Sequence, residues 1–286
     1  MQGPPGAGKS LLASALPSIL PDLSSGEVLE VTKIYSVAGF LPKEKPLINC
    51  RPFRSPHHTT SEAALIGGGS PPKPGEITLS HRGVLFLDEF PEFHRDVLES
   101  LRQPLEEGRI TILRAKHRLT FPSRFTLIAA ANPCPCGYYR DPNKACQCLP
   151  SQIAKYRRKL SGPLIDRIDL FIDVPQLKFE KLTRPDEENS SAKIKESVER
   201  ARKIQRERFS MEVTNSEMQI PQIKRYCQVD SRSQNILKRF VDSAKLSARG
   251  YHRVLKVART IADLDNSEKI SYSHLTEALM YRIREE

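Results

Sequence analysis

The chain has 286 residues, of which 38% are hydrophobic, so it can bury one sizeable core together with a smaller one. No apolar run approaches the roughly 20 residues that a membrane span needs, which argues against a membrane protein and favours a cytosolic one. The 45 basic and 34 acidic residues give a net charge of +11, which suits a polyanionic partner such as nucleic acid but also fits a solvated basic surface.

The first 176 residues alternate apolar strand-like runs with helical stretches. The predicted helices are Ser10–Leu16, Arg95–Glu107 and Ser151–Lys159. The predicted strands are Val84–Leu87, Phe125–Ala130 and Leu170–Val174. A hairpin is predicted for Arg109–Leu113 and His117–Phe121. This alternation is typical of an α/β fold, in which helices cover both faces of a parallel sheet.

The polar segment 177–190, which contains Pro185, is typical of a linker. The helices predicted after it are Ser191–Phe209, Asp230–Ala248, Tyr251–Asp265 and Ser271–Arg284. We therefore expect a second, helical domain over residues 191–286.

A glycine-rich segment opens the chain, and its candidate nucleotide-binding residues are Gly3, Pro4, Pro5, Gly6, Ala7, Gly8, Lys9, Ser10 and Leu11. Glycines let backbone N–H groups approach phosphates, and the following helix offers its positive end to an anion. Lys9 would neutralise the β- and γ-phosphates of ATP, and Ser10 would ligate Mg²⁺. The alternative is a chance glycine-rich turn.

Polar residues also follow two of the predicted strands. After Val84–Leu87, Asp88 would hold Mg²⁺ through water and Glu89 would polarise the attacking water, because a buried parallel strand delivers carboxylates at its carboxyl end. An ordinary acidic helix start is the disfavoured alternative. Asn132 follows the next strand and would orient the water or touch the γ-phosphate, unless it only caps a turn before Pro133.

Four of the six cysteines are clustered, namely Cys134, Cys136, Cys146 and Cys148. In a cytosolic chain this clustering favours a metal, and four cysteines are the ligand set of a structural zinc site. The Cys-x-Cys pairs depart from the usual spacing of such sites, so buried or redox-active thiols remain the alternative. His57 and His58 are adjacent and would point to different sides of a regular element, so we assign them to a structural insert and not to a metal.

These motifs together resemble the Walker A, Walker B and sensor 1 motifs of AAA+ ATPases. The segments Arg54–Ser61, Leu65–Gly69 and Leu160–Asp169 resemble the magnesium-chelatase-like group of the YifB and ComM proteins, and the resemblance covers essentially the whole chain. It implies a three-layer AAA+ core with a C-terminal helical lid. It also implies a hexameric ring in which ATP lies between subunits.

The resemblance further implies roles for two arginines. Arg167 matches the arginine finger that reaches the ATP site of a neighbouring subunit, where its charge would offset the charge developing on the γ-phosphate. From the sequence alone, Arg167 fits a surface ion-pair cluster equally well. Arg249 resembles the sensor 2 arginine of the lid, with Arg253 as the fallback.

The family resemblance implies a DNA branch-migration motor in which the hairpin faces a central pore. The candidate phosphate contacts are therefore Arg114, Lys116 and Arg118, and a solvated hairpin is the alternative. A protein-remodelling or metal-insertion ATPase and an inactive nucleotide-binding scaffold also remain open.

One feature departs from the family pattern. A phosphate loop follows a buried strand, and only Met1 and Gln2 precede Gly3, so we expect the first strand to be missing here. Family members carry a preceding domain that resembles the Lon protease fold. We therefore expect the chain to be a fragment or the product of a late assigned start codon.

Overall fold

The computed structural model describes residues 1–286 except 42, 43, 45, 70, 115, 116, 161, 163, 177–189 and 283–286, and it leaves out the side chains of residues 113, 114 and 117. The chain divides into two compact units. The first unit comprises Met1–Arg167 and Asp173–Arg184, and the second comprises Ile168–Ile172 and Pro185–Glu286. The predicted linker lies outside the described residues except for Ser190.

The first unit mixes helices and strands, which confirms the predicted α/β class. Its helices are α1 (Lys9–Ile19), α2 (Ser25–Ala38), α3 (Glu62–Ile66), α4 (Glu76–Leu79), α5 (Arg95–Ser100), α6 (Arg102–Glu107) and α7 (Pro150–Lys159). Its strands are β1 (Phe53–Arg54), β2 (Gly67–Gly68), β3 (Lys73–Pro74), β4 (Val84–Leu87), β5 (Arg109–Arg114), β6 (His117–Pro122) and β7 (Thr126–Ala129).

A parallel sheet in the order β1-β4-β7 lies at the centre of this unit. Every residue of β4 is buried, as its continuous apolar sequence predicts for a strand covered on both faces. Leu85 and Leu87 face one apolar cluster, while Phe86 packs with Ala13 and Ala130 in another. The sheet therefore holds the carboxyl ends of β4 and β7 side by side.

The residues before the phosphate loop extend the sheet. Gln2 forms parallel bridges to Ala131 on one side and to Asp173 on the other. The N–H of Ala131 donates to the carbonyl of Met1 at 3.0 Å, and the N–H of Val174 donates to that of Gln2 at 2.7 Å. The expectation that a strand is missing before Gly3 is not confirmed, because Met1 and Gln2 make strand-like hydrogen bonds at that position.

The predicted strand Leu170–Val174 is wrong, since only Asp173 in it forms a bridge. Residues 168–172 make their contacts with the second unit, where the N–H of Phe171 donates to the carbonyl of Tyr281 at 2.7 Å. The predicted first domain, which ran to residue 176, therefore includes a short segment that belongs with the helical unit.

The predicted helix Arg95–Glu107 is two helices, α5 and α6, which meet at Leu101. Pro104 explains the break, because proline lacks an N–H and its ring clashes with the carbonyl four residues earlier. The prediction also omitted α2, although Ser24 and Glu27 form a capping box at its start.

The regular secondary structure described in the second unit consists of helices. Its helices are α8 (Ser191–Phe209), α9 (Ile220–Tyr226), α10 (Ser231–Asp242), α11 (Ala248–Leu264) and α12 (Tyr272–Met280). The predicted helix Asp230–Ala248 ends earlier because Ala244 has φ +56° and Ser247 caps α11, accepting from Gly250 N–H at 3.1 Å. No helix among the described residues has the length and apolarity that crossing a membrane requires.

His81 makes the stability of the first unit depend on pH. Its side chain is 2% exposed, Nδ1 accepts from the N–H of Arg124 at 3.0 Å, and Nε2 lies 3.1 Å from a carboxylate oxygen of Glu30. Burial lowers the pKa of His81, the charges of Arg82 and Arg124 lower it further, and Glu30 opposes the shift. The folded protein therefore holds His81 neutral, with the proton on Nε2.

We expect unfolding of the first unit to become easier as the pH falls from 7 to 5. The unfolded histidine binds a proton at its ordinary pKa of about 6.5, above that of folded His81, so acid favours the unfolded state. Urea unfolding of His81→Gln should show a flatter pH dependence over this range. The exposed His94, changed to Gln, is the control and should keep the wild-type slope.

Candidate active site

The phosphate-binding loop precedes α1 and shapes a cradle of backbone N–H groups. Gly6 and Gly8 have φ angles of +77° and +84°, in the left-handed region that favours glycine. The first N–H groups of α1 lack intrahelical acceptors and lie at the positive end of the helix dipole. This loop therefore offers the donors that a nucleotide phosphate requires, as the sequence predicts.

The Lys9 side chain is held by hydrogen bonds to the phosphate loop and to Asn132. The residue is 8% exposed, and Nζ donates to the carbonyls of Gly3 and Pro4 at 2.8 and 2.9 Å and to Oδ1 of Asn132 at 3.1 Å. Burial lowers the pKa of Lys9, while the charge of Asp88 raises it. The structure thus brings together Lys9 and Asn132, which are 123 positions apart.

Ser10 and Asp88 form the second contact of the site. The Ser10 hydroxyl donates to Oδ2 of Asp88 at 2.6 Å, and Oδ1 of Asp88 accepts from the N–H of Glu89 at 2.9 Å. A hydroxyl and a carboxylate are ligands that Mg²⁺ takes beside nucleotide phosphates. Since these oxygens already converge next to the phosphate loop, they fit a magnesium nucleotide.

Glu89 has an unusual backbone and an accessible side chain. Its φ and ψ are +50° and +41°, a left-handed conformation that non-glycine residues seldom adopt, and the N–H of Phe90 that follows it donates to the carbonyl of Ala130 at 2.9 Å. The Glu89 side chain is 57% exposed. Strained residues cluster at functional sites, and this strain presents a carboxylate to solvent beside Asp88.

His58 reaches this carboxylate, which the sequence analysis missed. Its Nδ1 lies 3.0 Å from Oε2 of Glu89. The assignment of His58 to a structural insert did not include this contact. The signal was available, because β1 ends at Arg54 and lies parallel to β4, so residues soon after β1 meet those after β4 at one sheet edge.

The two predicted arginines lie in different surroundings. The Arg167 side chain is 4% exposed, and its Nη2 donates to Oε1 of Glu106 at 2.6 Å within the first unit. Arg249 is exposed in the first turn of α11. Arg253, the fallback, forms an ion pair with Asp169 inside the second unit. Their roles toward a nucleotide stay predictions.

The predicted hairpin forms as β5 and β6, paired antiparallel from Arg109 opposite Pro122 to Arg114 opposite His117. Ile110 and Ile112 bury one face of it in the core. Arg118 is exposed on β6. Lys116 and the side chain of Arg114 lie outside the described residues.

The four clustered cysteines lie in the segment between β7 and α7. Their sulfur atoms lie within 4.8 Å of one another, a grouping that can hold a metal ion. Backbone hydrogen bonds, first that of Tyr138 and then that of Gln147, lower the pKa of Cys136 to about 6.

A phosphate loop at the head of a helix, with an acidic pair at the end of a strand in the same parallel sheet, is typical of a P-loop nucleotide-binding protein. The chain belongs to the family of the magnesium chelatase subunit ChlI, whose family model matches residues 1–182. The model of the C-terminal part of that subunit matches residues 188–282.

Individual relatives agree with this family. The chain is 46% identical to competence protein ComM of Haemophilus influenzae and 44% identical to the uncharacterized protein YifB of Escherichia coli, in each case over 98% of this chain and 54% of the relative. It is also 30% identical, over 34% of its length and 11% of the relative, to the DNA replication licensing factor mcm-6 of Caenorhabditis briggsae. The predicted resemblance is confirmed, and the chain spans about half the length of ComM and YifB.

Proposed function

We propose that this chain is the ATP-hydrolysing part of a motor that acts on DNA. The observation that carries the proposal is the convergence of Lys9, Asn132, Ser10 and Asp88 beside the solvent-facing carboxylate of Glu89. Phosphate binding, metal binding and water activation need these side chains within one small volume. An inactive scaffold would not need Glu89 in a strained conformation.

Each residue has a distinct task in this proposal. The loop from Gly3 to Leu11 holds the phosphates through its N–H groups, and Lys9 exchanges its loop carbonyls for phosphate oxygens. Ser10 and Asp88 would hold Mg²⁺, which would supply positive charge to neutralise the phosphates. Glu89 orients and polarises the attacking water, and Asn132 fixes the far side of the γ-phosphate.

The proposal includes a homo-oligomeric ring, with six subunits as the stoichiometry that the family resemblance implies. Arg167 acts as the finger toward a neighbouring subunit, after exchanging its partner Glu106 for phosphate. Arg249, which is exposed at the start of α11, acts as the sensor of the helical lid. A cytosolic location accompanies this assignment.

DNA is the proposed partner because of an exposed basic residue on the hairpin and the basic charge of the whole chain. Arg118 is exposed there, and the net charge of +11 favours a polyanion. The words "competence" and "DNA replication" in the names of two relatives point in the same direction. The family name favours the alternative, a magnesium-chelatase-type or protein-remodelling ATPase without DNA activity.

The test is phosphate release with and without single-stranded and forked DNA, using Lys9→Ala as the inactive control. We expect hydrolysis that rises with DNA and disappears in the variant. Hydrolysis that no DNA stimulates would favour protein remodelling. Equal rates for wild type and Lys9→Ala would remove the ATPase proposal itself.

Reversing the charge of Arg118 should weaken binding to all DNA sequences alike. Loss of one phosphate contact makes the slope of log affinity against log salt shallower by about 1. The measurement is fluorescence anisotropy of labelled single-stranded DNA for Arg118→Glu between low and moderate salt. Arg95→Glu, which makes the same charge change at an exposed position on α5, is the control and should keep the wild-type slope.

Removing the His58 ring should raise the basal rate of hydrolysis about fivefold. The hydrogen bond from His58 draws negative charge from the Glu89 carboxylate and holds the Glu89 side chain in one rotamer. A partly exposed contact of this kind contributes about 1 kcal/mol, which corresponds to a factor of about five in rate. The measurement is DNA-free phosphate release for His58→Ala. A fall in rate would instead mean that His58 orients Glu89 for catalysis.

A further inference from the structure

The sulfur atoms of Cys134, Cys136 and Cys146 form a nearly regular triangle. Their separations are 3.4, 3.6 and 3.7 Å, and the Sγ of Cys148 accepts from the N–H of Cys136 at 3.3 Å. A disulfide would require about 2.05 Å, whereas four sulfurs around Zn²⁺ at about 2.3 Å stand about 3.8 Å apart. The spacing therefore matches a tetrahedral thiolate site.

The segment that carries these cysteines lacks its own regular structure. Every residue from 133 to 149 is described, and none of them lies in a helix or a strand. A connection of this length without secondary structure is uncommon in a compact domain, and closing it costs conformational entropy. Cys134 is nevertheless fully buried. A metal that ties its two ends together would offset that cost.

The same segment packs against the phosphate-binding loop. Gly137 has φ +87°, and its N–H donates to the carbonyl of Cys134 at 3.0 Å, which makes a tight turn. A Cβ added at Gly137 would lie 2.4 Å from Cδ of Pro5. The turn therefore packs directly against the proline ring in the phosphate loop. The same segment follows Asn132, which lies two residues before Cys134 and accepts a hydrogen bond from Lys9.

We propose that Cys134, Cys136, Cys146 and Cys148 bind one structural Zn²⁺, and that the closed turn supports the phosphate-binding loop through the contact of Gly137 with Pro5. Without the metal, the turn at Cys134–Gly137 is no longer held by the thiolates of Cys134 and Cys136. The packing of Gly137 on Pro5 and the position of the neighbouring Asn132 then become less fixed. The effect on nucleotide affinity rests on the proposed function, whereas the metal content and the rigidity of the loop do not.

The metal is tested by elemental analysis of the chain purified without chelators or metal-affinity resin. We expect about one zinc per chain, lost in Cys136→Ser and in Cys146→Ser. Cys50→Ser, which changes an exposed cysteine outside the cluster, should keep it. A wild-type chain without zinc, with its four clustered thiols freely titratable or paired in disulfides, would overturn the site.

The support of the phosphate loop is tested by hydrogen exchange of the peptide covering residues 4–12, with and without zinc removal by 1,10-phenanthroline. Removal should speed exchange in this peptide at least about tenfold, and added zinc should restore the slow rate. Unchanged exchange in a zinc-free chain would overturn the support. This readout uses no nucleotide, so it stands even if ATP binding fails, and it avoids variants that do not fold.

Two glycine substitutions distinguish the effect of the contact with Pro5 from the effect of the metal. Gly137→Ala places a Cβ against Pro5 while keeping all four thiols, so zinc should remain and affinity for a fluorescent ADP analogue should fall about tenfold. Gly39→Ala has a comparable φ of +77° but open space around it, and it should leave that affinity unchanged. Equal affinity in both variants, where wild type binds the analogue, would contradict the support.

Discussion

Glu89→Gln should lower the rate of ATP hydrolysis at least about 100-fold while nucleotide still binds. A positioned general base contributes 10²- to 10⁴-fold to rate, and glutamine keeps the size of the side chain but cannot take a proton. The contacts of Lys9, Ser10 and Asp88 do not involve the Glu89 carboxylate, so the phosphate and metal contacts should survive. Steady-state phosphate release and binding of a fluorescent ATP analogue measure the two effects separately.

The control for this prediction is Glu92→Gln. Glu92 lies three residues further along, is partly exposed, and forms an ion pair with Lys159 at 3.2 Å outside the site. Its replacement should leave the rate within about twofold of wild type, because exposed ion pairs contribute little. If Glu89→Gln kept more than half of the wild-type rate, another group would have to activate the water.

The site residues that the sequence predicted are those whose positions are fixed by the strands they follow. Asp88 and Asn132 each follow an apolar strand, and parallel neighbours end at one edge of a sheet. Their approach to Lys9 and Ser10 follows from this rule, together with the glycine pattern that sets the phosphate loop in front of α1. The local sequence pattern and the geometry of a parallel sheet were therefore sufficient to predict that these four residues form one site.

The missed parts depend on how loops fold back. His58 and Gly137 lie in segments without strong periodicity, and their partners Glu89 and Pro5 are distant in sequence. Composition identified the cysteine cluster but could not tell which element it rests on. The helix breaks near Leu101 and Ala244 were missed for a different reason. The first follows from Pro104, whose effect the helix prediction did not include, and the second from the left-handed φ of Ala244, which the sequence pattern does not show.

Asp263→Ala should cost the second unit about 3–5 kcal/mol of its free energy of unfolding. Asp263 is fully buried on α11, where it is paired with Arg208 and also accepts from Arg259 Nε at 3.1 Å and from Asn215 Nδ2 at 2.8 Å. Burial lowers the pKa of Arg259 and the charge of Asp263 opposes that shift, so the carboxylate is what makes a buried guanidinium tolerable. Removing one partner of a buried pair leaves an uncompensated charge.

Because the free energy of unfolding of a domain is only about 5–15 kcal/mol, such a loss removes a large part of the stability of the second unit. Hydrogen exchange of peptides from α8 to α12 across a urea titration measures it, since these peptides report on the second unit separately from the helices of the first. Asp242→Ala, which removes an exposed carboxylate at the end of α10, should stay within about 0.5 kcal/mol of wild type. An unfolding midpoint for Asp263→Ala equal to that of Asp242→Ala would mean that water or a shifted side chain compensates the arginines. The expected large difference would instead show that this network, which joins α8 to α11, holds the helical unit together.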